Sequence, residues 1–150
     1  EELPLTNPSV WKQVDDLLTE PNEIRLVLFG LSTEHLFLLR LRDLADVSSM
    51  MPYFHSELYQ RLDVSIIDHV ILEKFLGLSE DTEKTLLAYS FDRQDAINRV
   101  LAQEYQLALL ISPVKAATVK AIADAGDRMP RKSTYFYPKP PAGLVFNRLI

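Results

Sequence analysis

Two neighbouring apolar runs constrain this chain more than any other feature. Ile24 to Phe29 is almost wholly apolar, Glu34 to Arg42 alternates in part, and Gly30-Leu31-Ser32-Thr33 separates them. Short runs parted by a glycine-bearing break read as two strands of a hairpin. Most of the remaining pattern is helical. Ser9 to Thr19 predicts a helix capped by Ser9, with Trp11, Val14, Leu17 and Leu18 on one face. Around it, residues 1–23 read as irregular, with Pro4, Pro8 and Pro21. Asp43 to Leu62 holds two weak helical stretches interrupted by Pro52. A stronger helix follows, capped by Asp63, with Val64, Ile67, Ile71, Phe75 and Leu78 at helical spacing and Gly77 at its C-terminal end.

From residue 84 the pattern changes. Thr85 to Ser90 is a short β-like run, and Asp92 caps a helix with Ala96, Ile97, Val100 and Leu101 on one side. Tyr105 to Ile111 reads as a buried strand. Ser112-Pro113 opens a helix, with Pro suited to the first helical position, and Gly126 ends it. Thr134 to Tyr137 and Leu144 to Phe146 read as closing strands. The expected fold is therefore α+β (mixed α/β). It is a small sheet with an N-terminal hairpin and a C-terminal β-α-β-α-β unit, with helices packed on the sheet. Crossovers in such a unit are right-handed. A chain of this mass buries about 69% of its unfolded surface, which suits one domain over 1–150.

Composition closes off many mechanisms. There is no cysteine, so thiolate nucleophiles, disulfides and cysteine-held metals are excluded. The four glycines (Gly30, Gly77, Gly126, Gly143) are too scattered for a dinucleotide fingerprint. No Gly-x-Ser-x-Gly elbow and no His-Glu-x-x-His spacing is present. No apolar run approaches the ~20 residues of a membrane span, and the N-terminus has no signal-peptide pattern. A cytoplasmic protein without membrane partners is expected. Net charge −5 argues against bulk nucleic-acid binding. The sequence begins at Glu1 without an initiator Met, which sets the expectation of a piece of a longer chain.

One segment stands against the acidic background. Residues 126–139 carry Arg128, Arg131, Lys132 and Lys139 against Asp127, a local +3, whereas the remainder holds 12 basic and 20 acidic residues. Arg offers a bidentate fork, Lys a point charge, and Ser133 and Thr134 supply hydroxyls; together these are phosphate- or carboxylate-binding groups. The segment reads G-x-x-x-x-R-K-S from Gly126 to Ser133, one position from a P-loop. A P-loop follows a strand and opens a helix, whereas this segment follows a helix, and Arg131 stands where close phosphate approach needs glycine. The competing structural reading is a proline- and aromatic-locked turn with solvated charges.

His69 and Glu73 form a second candidate. With Ser65 they lie at i, i+4 and i+8 on one helical stripe and could act as an acid–base pair or as two metal ligands. A third ligand is not identifiable from sequence, so no metal is assigned. The plain reading of the pair is an ordinary polar helix face. Asp68 is expected to face elsewhere, and Tyr53, His55 and Tyr59 read as loop packing.

Met129 to Phe146 (MPRKSTYFYPKPPAGLVF) resembles the C-terminal signature of the bacterial and archaeal family called domain of unknown function 1015. The likeness takes in Phe29 to Asp43, Leu62 to Gly77 and Tyr105 to Val114. Asp127 stands where that pattern has glutamate, Arg131 where it has proline, and His69 one place after its histidine. Members are longer, with an N-terminal part similar to ParB-like proteins, a class that includes nucleotide-binding proteins and free-serine kinases. The resemblance implies that this chain is the C-terminal portion of a larger protein whose site is completed by its own N-terminal half; the chain alone is expected to be inactive, since it holds no complete set of base, nucleophile and metal ligands.

The leading expectation is an anion-binding wall for a nucleotide or phosphorylated small molecule, with phosphoryl transfer as its chemistry. Arg128, Lys132, Ser133, Thr134 and Lys139 would line it, and Asp127 would bind a metal or orient a hydroxyl. A nucleotide with Mg would enter only in the full-length protein. A second reading is a docking domain, contacting the N-terminal half or a second copy of the chain. A ParB-like nucleic-acid role comes third.

Overall fold

The computed structural model describes residues 1–20 and 23–134. Its sheet has four strands: β1 (Glu2–Pro4), β2 (Arg25–Phe29), β3 (His35–Arg40) and β4 (Ala108–Ile111). They lie in the order β1-β3-β2-β4, and every pairing is antiparallel. The hairpin forms as its pattern predicts, with Val27 opposite Leu38 on one side and opposite Leu110 on the other. Gly30 ends β2 at φ +122, and a Cβ there would meet the Gln106 carbonyl oxygen at 2.2 Å. Only glycine lets the turn pass so close to the chain entering β4.

β2 is apolar from Leu26 to Phe29 because both of its faces are covered there, the usual cause of a continuous apolar strand. Val27 and Phe29, both fully buried, point with Leu36, Ala108 and Leu110 towards α1 (Val10–Leu18) and α5 (Arg93–Leu101). Leu3, Val10, Val14 and Ile97 complete that layer. Leu26 points the other way and packs on Ile67 and Leu72, with Leu109 and Ile111 beside them. The architecture is thus α+β, a sheet between two helical layers.

The second layer holds α2 (Glu57–Gln60), α3 (Asp63–Ile66), the π-helix Ile67–Phe75, α4 (Glu80–Leu86) and α6 (Ala116–Asp124), preceded by 3₁₀ turns at Leu44–Asp46 and Ser48–Met50. α3 and the π-helix are the strong helix of the sequence, but Leu62 rather than Asp63 is its N-cap. The wider π turn carries the apolar stripe out of register. Val70 and Leu72 are buried, and Phe75 is 69% exposed.

Other expectations are corrected. Thr85 to Ser90 is not a strand: Ser79 and Thr82 make a capping box that starts α4, and Thr85 and Leu86 belong to that helix. The β-α-β-α-β order does not form among the described residues, and β4 joins β2 antiparallel without a right-handed crossover. β4 begins at Ala108 rather than Tyr105, and α6 begins at Ala116, three residues after Pro113. The N-terminus is not wholly irregular: Glu2–Pro4 pairs with β3. The closing strands fall almost wholly outside the described residues. No helix among those described is long and apolar enough to cross a membrane.

Candidate functional site

The cationic segment starts where α6 stops. Gly126 takes φ +73; its N–H bonds the Ala123 carbonyl, and the Asp127 N–H bonds the Ile122 carbonyl. This is the Schellman ending that glycine permits, and it turns Asp127 back across the second layer. Met129 then packs on the cluster of Leu62, Val64 and Ile122, and Pro130 is buried, which fastens the turn to the core.

Asp127 is the hinge of the site. The Ser56 and Arg128 backbone N–H groups each donate to its carboxylate at 2.7 Å, and His55 Nδ1 lies 2.7 Å from Oδ1. The side chain is 11% exposed and that of His55 18%. Burial alone would raise the Asp127 carboxyl, but donation from Ser56, His55 and Arg128 outweighs it and holds the group well below the usual carboxylate range. Asp127 is therefore an ionised anchor.

His55 stands just before α2. Ser56 caps that helix, its Oγ accepting from the Tyr59 N–H at 3.2 Å. The His55 ring stacks on the Tyr59 ring with centroids 3.7 Å apart and planes 8° apart. Tyr59 is 4% exposed, and its hydroxyl lies 3.0 Å from His69 Nε2. His69 Nδ1 lies 3.3 Å from Glu73 Oε2, and Lys74 donates to Glu73 Oε1 at 3.0 Å. Lys74 first, then His69, hold the Glu73 carboxyl below its ordinary range. A polar chain thus runs Asp127–His55–Tyr59–His69–Glu73.

Since a carboxylate only accepts, the hydrogen bonds fix the protons. His55 donates from Nδ1 to Asp127, and neutral His69 donates from Nδ1 to Glu73 and accepts the Tyr59 proton at Nε2. Burial, with Asp68 nearby, raises the Tyr59 phenol, so it remains a donor. The fully buried Ser65 hydroxyl faces that phenol but makes no hydrogen bond of ordinary geometry.

Asp68 lies near Glu83 and Arg131, and its charge also reaches Tyr59. Burial and then Glu83 push its carboxyl up to about 6, against the opposing pull of Arg131. Burial also raises Asp63 to about 6.

The structure brings the two sequence candidates together: Asp127 of the turn and the His69–Glu73 pair belong to one polar chain. Arg128, Arg131 and Lys132 are exposed along the turn, with Lys132 at φ +57. Ser133 Oγ donates to the Pro130 carbonyl at 2.6 Å, which ties the hydroxyl into the turn, and Thr134 is half-buried. Lys139 lies outside the described residues. No group of three metal-ligating side chains occurs among those described.

His55 and Tyr59, read from sequence as loop packing, are the links between the candidates. A local signal was present: Ser56 followed by Glu57 marks a helix start, and puts His55 and Tyr59 one turn apart on adjoining faces. The partner of His55, 72 positions away, has no local signal. No family model, curated protein or solved structure matches the chain.

Proposed function

We propose that this chain supplies an anion-recognition wall, for the phosphate of a nucleotide or phosphorylated small molecule, to a site completed by further parts of a longer protein. One observation carries the reading: Asp127 fastens the cationic turn against the histidine wall. Its own charge is spent on three donors. Arg128 and Lys132 stay exposed along the turn, and Arg131 lies near Asp68. Cations on a turn fastened by Asp127 and the buried Pro130 cost little reorganisation when an anion arrives. Asp127, expected to hold a metal or orient a substrate hydroxyl, instead orients His55. Thr134 and Lys139 remain candidates to extend the wall. The resemblance to a family with a ParB-like N-terminal part points to phosphoryl transfer in the complete protein, with any Mg arriving with the nucleotide.

The test is a titration with inorganic phosphate and then ATP, followed by amide NMR. Residues 128–134 should shift saturably. Arg128→Ala and Lys132→Ala should each weaken binding about tenfold, the worth of one charge-assisted hydrogen bond, without changing thermal stability. Unmoved 128–134 amides at millimolar phosphate would sink the reading.

A second reading is favoured by a different observation. Tyr53 and Phe54, 94% and 71% exposed, meet edge to face immediately before His55. Aromatics so exposed suit a docking contact with the rest of a longer chain. Tyr53→Ser with Phe54→Ser would then abolish assembly with that part and leave phosphate binding intact.

A further inference from the structure

Three histidines occur in the chain, and the structure treats them differently. His69 has both ring nitrogens engaged, by Tyr59 and by Glu73. His35 sits on β3 opposite Pro4. His55 has one nitrogen held and the other open: Nδ1 is fixed by Asp127, and no described residue hydrogen-bonds Nε2. Its ring stacks on Tyr59 with centroids 3.7 Å apart and meets Phe54 at a tilt, with centroids 4.4 Å apart. It is 18% exposed, so it is held firmly while solvent still reaches it.

We infer that His55 is the acid–base group of this surface. Its Nε2 takes the proton from a hydroxyl or water presented beside the bound anion, and Asp127 is its positioning residue. The inference rests on the anion reading for its ligand and on the His55–Asp127 geometry for its chemistry. In the step, an O–H bond breaks and an N–H bond forms at Nε2. The electron pair stays on the oxygen, which becomes the nucleophile. The imidazolium that results faces the Asp127 carboxylate, which stays ionised and takes no proton. The same Asp127 oxygen accepts the Arg128 N–H, so the base and the first cation of the wall share one anchor. No other titratable group is in hydrogen-bond or ring contact with the His55 ring besides Asp127 and Tyr59, among the described residues.

Long-range proton–nitrogen NMR of the wild-type chain tests this without any substrate. Neutral His55 should carry its proton on Nδ1, the opposite of the form a solvated histidine prefers. In Asp127→Asn, a carbonyl oxygen kept towards Ser56 turns the amide NH2 to the place shared by His55 and the Arg128 N–H, so the His55 proton should move to Nε2 and the Arg128 amide should lose its acceptor. Diethyl pyrocarbonate, which acylates bare imidazole nitrogen, should modify His55 at least tenfold faster than His69, and Asp127→Asn should abolish the difference. A wild-type His55 protonated on Nε2, or one reacting no faster than His69, would overturn the assignment. If His55 behaves as stated while phosphate leaves 128–134 unmoved, the anion is the wrong ligand and the base stands. If phosphate binds while His55 fails, the wall stands and the base falls.

Discussion

The two layers on either side of the sheet are built by different physics. On one side, α1 and α5 meet Val27, Phe29, Leu36 and Leu110 in a layer whose buried residues are all apolar. On the other, the elements around α2, the π-helix and the turn 127–134 bury a carboxylate, two histidines, a tyrosine and a serine in part or in full. The first layer tolerates any side chains of the right volume and pattern. The second depends on named donors meeting named acceptors, since a half-buried polar group without its partner costs more than the partner contributes. Stability should therefore reside in the first layer and chemistry in the second.

The strongest challenge to that contrast is Phe29→Ala. It should remove about 3–5 kcal/mol and unfold both layers together, as read by denaturant titration. If the histidine wall survived the loss of the sheet, the layers would be independent.

Asp127→Ala comes next, at about 2–4 kcal/mol, because it strands two backbone N–H groups and the His55 ring. Hydrogen exchange should rise at Ser56 and Arg128 and change little in β2. Acid should mimic it. The native Asp127 carboxyl lies below its unfolded value, so its contribution is present above about pH 4 and is lost as pH falls further.

Asp68 should run the other way. Its carboxyl rises from 3.8 to about 6 on folding, so the native state binds the proton more tightly. Its contribution is largest below about pH 4, falls between pH 4 and 6, and is flat above. Asp68→Asn should stabilise the chain at pH 7 by about 1 kcal/mol, after allowance for solvent access, and flatten stability across pH 4–6. An unchanged pH profile would mean that Asp68 is solvated. Asp63, raised to about 6 by burial, should leave a residual slope of the same sign.

The smallest effect expected is from Ser79→Ala. It removes half of the capping box on α4, a helix with no buried residue among those described. It should cost about 0.5–1 kcal/mol of local helicity and leave the His55 and His69 signals in place. A shift in those signals would join α4 to the wall.

Legibility divided along the same line. The hairpin, α1, α5 and the Gly126 stop were readable because each is announced by neighbours within a few positions, through alternation, a cap or a glycine. Thr85 to Ser90 misled because a short β-like run does not by itself supply a partner strand, and the Ser79–Thr82 cap drew its first two residues, Thr85 and Leu86, into α4. His69 with Glu73 was readable as an i,i+4 pair, and Asp127 as part of a charged turn. His55 was not, because a histidine beside two aromatics is also what a packed loop looks like.

Sequence by itself determined which stretches could be strand and which helix, where α6 ends, and that positive charge gathers just beyond it. These follow from periodicity and backbone chemistry, which act over one or two turns of chain. Only the tertiary structure decided that Asp127 would meet His55, that Tyr59 would join His55 to His69, and that β4 would lie antiparallel against β2. Such pairings are chosen by which buried donors find acceptors once the apolar layers have closed, and that competition spans the whole chain.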